Sequence, residues 1–433
     1  MITSKYVRDN IEAIRKSLQK RKSNYPLDEL INLDEKSKKL KTQLQSLQAE
    51  RNKVSLLVSE KKKKEESVEE EINRMREVKE QIDAIEAEIS KYDERLNFLL
   101  WNLPNILDDS VPYGKDDSEN LEVRKWGQPR NAHMNKDHDD ILEALQLLDT
   151  KSAAKVSGAR FYYLKGDLVL LDMSLLRYAI DSLVKKNYIP ISPPYMLRKE
   201  FYHGVTALGD FEESLYKVAD PKEVATNESL EKVGEDLFLI ATSEHTIAAM
   251  HSETVFSSAN LPLKYVGISP CFRREAGSHG KDTKGIFRTH QFNKVEQFIF
   301  ATQKDPNKYL EEIVKNAEEL WQGLGIPYHI VNICTGDIGT VASKKFDLEV
   351  YIPSQDRYRE MGSYSNCTDW QSRRLNIKYD EGTERKYVYT FNGTAFASPR
   401  ALIPIIENYI NDDGTITIPE ALVPYMGKRV IGK

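Results

Sequence analysis

Arg273, Glu275, Arg288, Phe292 and Glu296 fall within residues 271 to 300, CFRREAGSHGKDTKGIFRTHQFNKVEQFIF. An extended chain sends every second side chain to the same face. Read as a β-hairpin, the segment puts Arg273 and Glu275 together on its first strand, and Arg288, Phe292 and Glu296 together on its second. Guanidiniums grip polyphosphate as planar forks, an aromatic ring stacks on a base, and carboxylates accept from amino groups. Such a set suits a nucleotide together with an amine. Alternating charge on paired strands is equally the mark of a solvated, ion-paired face. The intervening AGSHGKDTKGI is glycine-bearing and basic, as a loop that approaches a phosphate backbone would be, and favours the functional alternative.

The elements around this segment are those of an α+β domain. From about residue 111 onward the strand-like runs FYYLKGDLVLLD, DLFLIAT, KYVGISPCF, QFIFAT, YHIVNI, FDLEVYI and RKYVYTFNG alternate with the helical stretches MSLLRYAIDSLVKKN and YLEEIVKNAEELWQGLG. No GxGxxG or P-loop string opens a helix. A mostly antiparallel sheet flanked by helices is therefore expected rather than a doubly wound nucleotide fold.

Residues 27 to 104 contain no glycine and are rich in Lys, Glu, Leu and Ile. Leu33, Ser37, Leu40, Leu44, Leu47, Arg51, Val54 and Val58 follow four-three spacing, and the pattern resumes from Val68 to Leu103. SEKKKKEES, between the two halves, is too charged to bury. The spacing predicts a long antiparallel helical hairpin whose arms reach some 50 Å at about 1.5 Å per residue. Heptads alone fit an ordinary dimerising or scaffolding coiled coil. After Pro104, NLPNILDDSVPYGKDDSEN reads as a linker, so the expected domains are 1–110 and 111–433.

With 433 residues and a formal net charge of -5, the chain has no global basic coat, and any RNA contact must come from local patches such as Lys61 to Lys64. Cys271, Cys334 and Cys367 lie far apart and form neither a disulfide framework nor a CxxC pair. A reducing cytoplasm is the expected compartment. No run approaches the roughly 20 apolar residues of a membrane span, and the start lacks a signal or transit pattern.

FRRE followed by FRTHQFNKVEQ is similar to class II synthetase motif 2 in its seryl form, and NGTAFASPRALIPIIENY to motif 3. TSE at 242 to 244 and EMGSYSNCTDWQSRR at 360 to 374 resemble serine-binding and ATP-binding segments, and NYIPISPPYMLRKEFYHG resembles motif 1. By their order and spacing, the whole chain resembles the seryl-tRNA synthetases, in their common zinc-free form. That resemblance implies ATP-dependent formation of seryl-adenylate and transfer of the seryl group to the 3′ end of tRNA-Ser.

The resemblance also implies roles. Arg273 spans the α-phosphate and the serine carboxylate, Glu275 accepts from the adenine amino group, and Phe292 stacks on the base. Arg288 and Arg400 hold the outer phosphates, and Glu360 with Ser363 holds magnesium through ATP. Arg273, Glu360 and Arg400 are the catalytic assignments; Arg274, Thr289, Met361 and Gly362 complete the ATP segment. Thr242 and Glu244 hold the serine amino group, with Ser243 between them in the serine-binding segment, although a hydroxyl followed by an acid is also simply a good helix start. Glu296 and Thr394 read the serine hydroxyl with Asn392 in support. Hydrogen-bonding that hydroxyl lets a site reject alanine by roughly 10⁴ to 10⁵. No chemical step is assigned to Asp369, Gln371, Arg373 or Arg374.

The hairpin would lie along the tRNA, with Arg51, Lys53, Lys61, Lys62, Lys63 and Lys64 as contacts to its backbone. A homodimer through motif 1 around Pro194 is implied, with a selenocysteine tRNA as a second possible substrate. Threonine stands at 394 where some relatives have serine. Cys271 and Cys367 sit within segments of the zinc-free pattern, so no zinc is expected. The alternatives are a ligase that loads a carrier protein and a non-catalytic RNA-binding or scaffolding protein.

Overall fold

A computed structural model describes residues 2–129, 136–207, 212–218, 237–275 and 285–432. Most of the basic loop AGSHGKDTKGI, residues 276–284, lies outside them. The chain divides into two compact units, Met1–Pro104 and Asn105–Lys433, so the division falls ahead of the expected 110/111 boundary.

In the first unit two short helices, Ser4–Asp9 and Ile11–Lys20, precede α1 (Leu27–Lys63) and α2 (Glu69–Asn102). At about 1.5 Å per residue α1 is about 55 Å long. The helices pair along the heptad seam, where Ser37, Val78, Ile82, Leu96, Leu99 and Leu103 are buried. Towards the turn the seam thins, with Arg51 and Ile72 exposed. Cross-arm pairs replace apolar contact there: Arg74 with Glu50 at 2.6 Å and Lys61 with Glu71 at 2.5 Å. Lys62, Lys63 and Lys64 close the turn, exposed.

The second unit is built on an eight-stranded sheet. Its strands are β1 (Leu121–Trp126), β2 (Ile189–Ile191), β3 (Leu263–Phe272), β4 (Gln291–Ala301), β5 (Tyr328–Asn332), β6 (Lys344–Ile352), β7 (Arg357–Thr368) and β8 (Tyr389–Ser398). The spatial order is β1-β5-β6-β7-β8-β4-β3-β2. Every pairing is antiparallel except β2 with β3.

Helices α3 (Asp167–Val184), α6 (Pro306–Gly323) and α8 (Leu402–Tyr409) pack on the sheet; α4 (Lys199–Val205), α5 (Ser243–Met250) and α7 (Trp370–Leu375) form a second group, with α5 against β3 and β4. Strand β4 shows how alternation sorts side chains between layers. Val295, Ile299 and Ala301 enter the main core, Phe298 and Phe300 enter the second, and Lys294 and Glu296 face a cavity. Each fully buried large apolar side chain contributes about 1.5–3 kcal/mol, so this central strand is anchored on both faces.

Two expectations change. The strand-like FYYLKGDLVLLD holds only a two-residue strand, Tyr163–Leu164, and from Asp167 it is the first turn of α3. A short apolar run such as LVLL suits a buried helix as well as a buried strand, and here α3 buries Leu168, Leu171 and Leu175. The motif 2 hairpin is also shorter than the alternation implies. Strand β3 ends at Phe272, β4 begins at Gln291, and Glu275 adopts φ 48. Arg273, Glu275 and Arg288 therefore stand on the turn side of the strands, not within them.

Candidate active site

A cavity of about 350 Å3 opens over the middle strands of the sheet. Its wall includes Thr242, Glu244, Arg273, Glu275, Thr289, Phe292, Glu296, Glu360, Met361, Gly362, Ser363, Asn392, Thr394 and Arg400. These come from segments up to 158 positions apart in the chain (400 − 242), brought side by side by the strand order β7-β8-β4-β3.

Register sets one end of the cavity. Glu296 on β4 lies opposite Gly267 on β3 and Thr394 on β8, next to a bulge in the β4–β8 pairing. Thr394 Oγ1 donates to Glu296 Oε2 at 3.1 Å, and Lys294 Nζ approaches the same oxygen at 2.7 Å, with both charged side chains almost wholly buried. A buried pair so close is costly to break, because the remaining charge has no water to turn to.

Helix α5 brings in the next group. Thr242 caps it, its hydroxyl accepting from the Glu244 N–H at 3.2 Å, so the helix-start role and the wall position coexist. The helix fits closely because β3 has glycine at 267: a Cβ there would lie 2.6 Å from Ser243 Oγ and Ile247 Cδ1. Ser243 is consequently turned onto β3, fully buried, and does not line the cavity. Glu244 Oε1 accepts from Asn392 Nδ2 at 3.0 Å and from Gln371 Nε2 at 2.8 Å. Burial, reinforced by the Glu296 carboxylate, pushes Glu244 up to about 7 against the opposing pull of Lys294, Gln371 and Arg273.

The other end is basic. Arg273 lies over the Phe292 ring, Cζ 5.2 Å from the centroid, and its Nε is a buried donor with no hydrogen-bond acceptor among the described residues. Arg400 donates from Nε to the Phe287 carbonyl at 2.9 Å and from Nη1 to the Glu360 carbonyl at 3.4 Å. Arg359 and Arg400 both lie over the Phe287 ring, Cζ 4.1 Å and 4.8 Å from its centroid. Burial lowers the Arg400 pKa, with Arg273 and Arg288 adding and Glu360 opposing. Burial would raise Glu360, but Arg400, Lys345 and Arg273, with the Ser363 hydroxyl, outweigh it and hold this carboxyl below its ordinary value. Ser363 Oγ donates to Glu360 Oε1 at 3.3 Å.

Arg274 and Arg288 are not on the wall. Arg274 is exposed and its side chain does not line the cavity. Arg288 sits just outside, its Nη1 3.4 Å from Glu275 Oε2. Wall residues absent from the candidates above include Lys294, His245, Phe287, Val205 to Ala207 and the loop Ile338 to Ala342. Lys294 shares parity with Phe292 and Glu296, so alternation could have found it. His245 is pushed down to about 3 by burial, with Lys294 and Arg273 adding to it, and is neutral. Among the six hairpin candidates, Lys61 is paired with Glu71, whereas Arg51, Lys53, Lys62, Lys63 and Lys64 are exposed.

Comparison with known proteins gives a consistent result. Residues 1–107 match the model of the seryl-tRNA synthetase N-terminal domain, and residues 224–409 that of the class II tRNA synthetase core domain for G, H, P, S and T. A serine–tRNA ligase of Thermococcus sibiricus is 44% identical, covering 100% of this chain and 97% of the relative. Seryl-tRNA synthetase of Pyrococcus horikoshii, solved in complex with ATP, superposes with a TM-score of 0.89 at 42% identity over 100% of this chain and 99% of the other. Cytoplasmic serine–tRNA ligase of Naegleria fowleri, in complex with AMP, gives 0.84 at 37% identity over 99% and 96%. With both units matched and the relatives covered almost end to end, the chain belongs to the seryl-tRNA synthetase family.

Proposed function

We propose that the cavity joins serine to ATP as seryl-adenylate, releasing pyrophosphate, and that the seryl group then passes to the terminal ribose of tRNA-Ser. The observation that carries this is a single wall with arginines at one end and a buried acid-and-hydroxyl cluster at the other. Phe292 would stack on adenine with Glu275 accepting from its amino group. Arg273 would bridge the α-phosphate and the serine carboxylate, holding the attacking oxygen in line while pyrophosphate leaves towards Arg288 and Arg400. Glu244 and Thr242 would take the serine ammonium, and Glu296 with Thr394 the hydroxyl. Thr289, Met361 and Gly362 complete the ATP wall; Arg274 would act only from outside it.

Glu360 and Ser363 fit magnesium. Their oxygens are adjacent, Glu360 is ionised, and both face the arginine end of the wall, where phosphates would supply further ligands. When bound, the ion would neutralise charge on the phosphates. Zinc is not part of this reading, which follows the family pattern around Cys271 and Cys367. The exposed basic residues at the hairpin turn would contact the tRNA backbone. Strand β2 is a sheet edge that carries exposed Ile189 just ahead of Pro194 in the chain, which supports a homodimer through that surface. Among the described residues no helix is long and apolar enough to cross a membrane, and a cytoplasmic enzyme is proposed.

Serine-dependent ATP–pyrophosphate exchange, run beside tRNA-Ser charging, tests the proposal. Both activities are expected. Exchange without charging would favour the carrier-loading alternative, and neither activity the scaffold.

A further inference from the structure

Gln371 carries none of the roles above and does not line the cavity, yet it touches the residue proposed to hold the serine amino group. It lies on α7, fully buried. Its Nε2 donates to Glu244 Oε1 at 2.8 Å and to the Val205 carbonyl at 3.1 Å, and its Oε1 accepts from Thr390 Oγ1 at 2.7 Å. The amide has only one workable orientation. Reversed, its oxygen would face a carbonyl and a carboxylate while its nitrogen faced the Thr390 hydroxyl, stranding two acceptors in the interior.

Asn392 Nδ2 converges on the same Glu244 oxygen, so two amides fix Oε1 and leave Oε2 as the oxygen presented to a ligand. Val205, held by the other amide hydrogen, is itself a wall residue at the end of α4. One side chain thus joins α4, α5 and β8 behind the acid. We propose that Gln371 is a positioning residue for the amine subsite: its clamped amide holds Glu244 in one orientation and keeps it ready to receive an ammonium group. The inference rests on the seryl-adenylate reading.

Electrostatics agree with the geometry. Glu244 is faced by Glu296 and Lys294 from β4, by Arg273 beyond β3, by neighbouring His245, by Cys367 on β7 and by Asn392 on β8. Burial and Glu296 favour its neutral form, and the Gln371 N–H is one of the groups that oppose them. Removing that donor leaves more of the carboxyl protonated at neutral pH. A protonated acid accepts an ammonium ion poorly, whereas ATP, at the basic end, would be little affected.

The test uses the full-length chain with Gln371→Met, similar in length without amide hydrogens, and Thr390→Val, which removes the anchor of the amide oxygen. Serine-dependent exchange is followed from about pH 6 to about pH 9. Gln371→Met is expected to raise the serine KM at pH 7 about ten- to hundredfold, with the ATP KM and the kcat within about threefold of wild type. The pH below which the serine KM climbs should move upward, and Thr390→Val should act in the same direction but less. A folded Gln371→Met protein with unchanged serine KM and pH profile, or with serine and ATP affected alike, overturns the proposal. If Gln371→Met fails to fold, Thr390→Val decides by the same criteria. Wild type without serine-dependent exchange would instead sink the seryl-adenylate reading itself.

Discussion

Along the hairpin, Lys41 meets Asp93, Arg74 meets Glu50 and Arg95 meets Glu29 across the two arms, with side chains open to solvent. In the cavity Lys294 meets Glu296 with both side chains nearly sealed, and half-buried Arg400 donates to the Glu360 carbonyl. The residue types are the same, but the surrounding dielectric differs. Water screens the arm pairs until each contributes little, so that surface can be rich in charge and still lose any one member cheaply. In the cavity every charge is felt by its neighbours, which is what tuning Glu244 and Glu360 in opposite directions requires. The arm is suited to additive contact with an extended polyanion, the cavity to a few contacts that fail as a unit.

Four experiments would sharpen or break this contrast. Arg273→Ala should lower exchange about a thousandfold or more, since it removes the fork placed over Phe292; residual activity near wild type would separate that arginine from the chemistry. Lys294→Met leaves Glu296 buried without its cation, and urea unfolding should show destabilisation by about 3–5 kcal/mol. Stability within experimental error of wild type would mean that water reaches the pair.

The third experiment is a pH series. Free Glu244 is protonated below about 7, and an ammonium ligand needs it ionised, so binding releases a proton there. The serine KM should be flat above pH 7 and rise towards about tenfold per unit below it, with the ATP KM much less affected. A flat serine profile would remove Glu244 from amine recognition. The smallest effect concerns the arm. Changing Lys62, Lys63 and Lys64 together to Ala should leave exchange within about twofold, and flatten the salt dependence of tRNA binding by about 0.7–0.9 in log-log slope for each lysine that neutralises a phosphate. Exchange impaired as badly as charging would end the separation of the two units.

Periodicity and composition carry the hairpin, because its order is local: a heptad seam repeats every turn, and SEKKKKEES marks the reversal. Much of the cavity wall is legible in motif strings whose register with relatives supplies what spacing alone lacks. Other parts are not legible. Phe287 and the loop Ile338 to Ala342 reach the wall only through strand order, a long-range property with no local signature. Arg288 is misplaced by alternation because the strand it was read on starts three residues later, at Gln291. LVLL misleads in the second unit because burial on all sides erases the difference between periods of 2 and 3.6.

The close seat of α5 on Gly267 has a consequence for how this family could drift or be tuned. A single added methyl at 267 would press on Ser243 and Ile247, and any shift of the helix that relieved the clash would carry Thr242 and Glu244 with it, without contact to a substrate atom. Amine affinity would then be adjusted mechanically, from a position with no polar side chain at all. Variation at such a spacer could alter substrate preference while the ligand-facing residues remained unchanged.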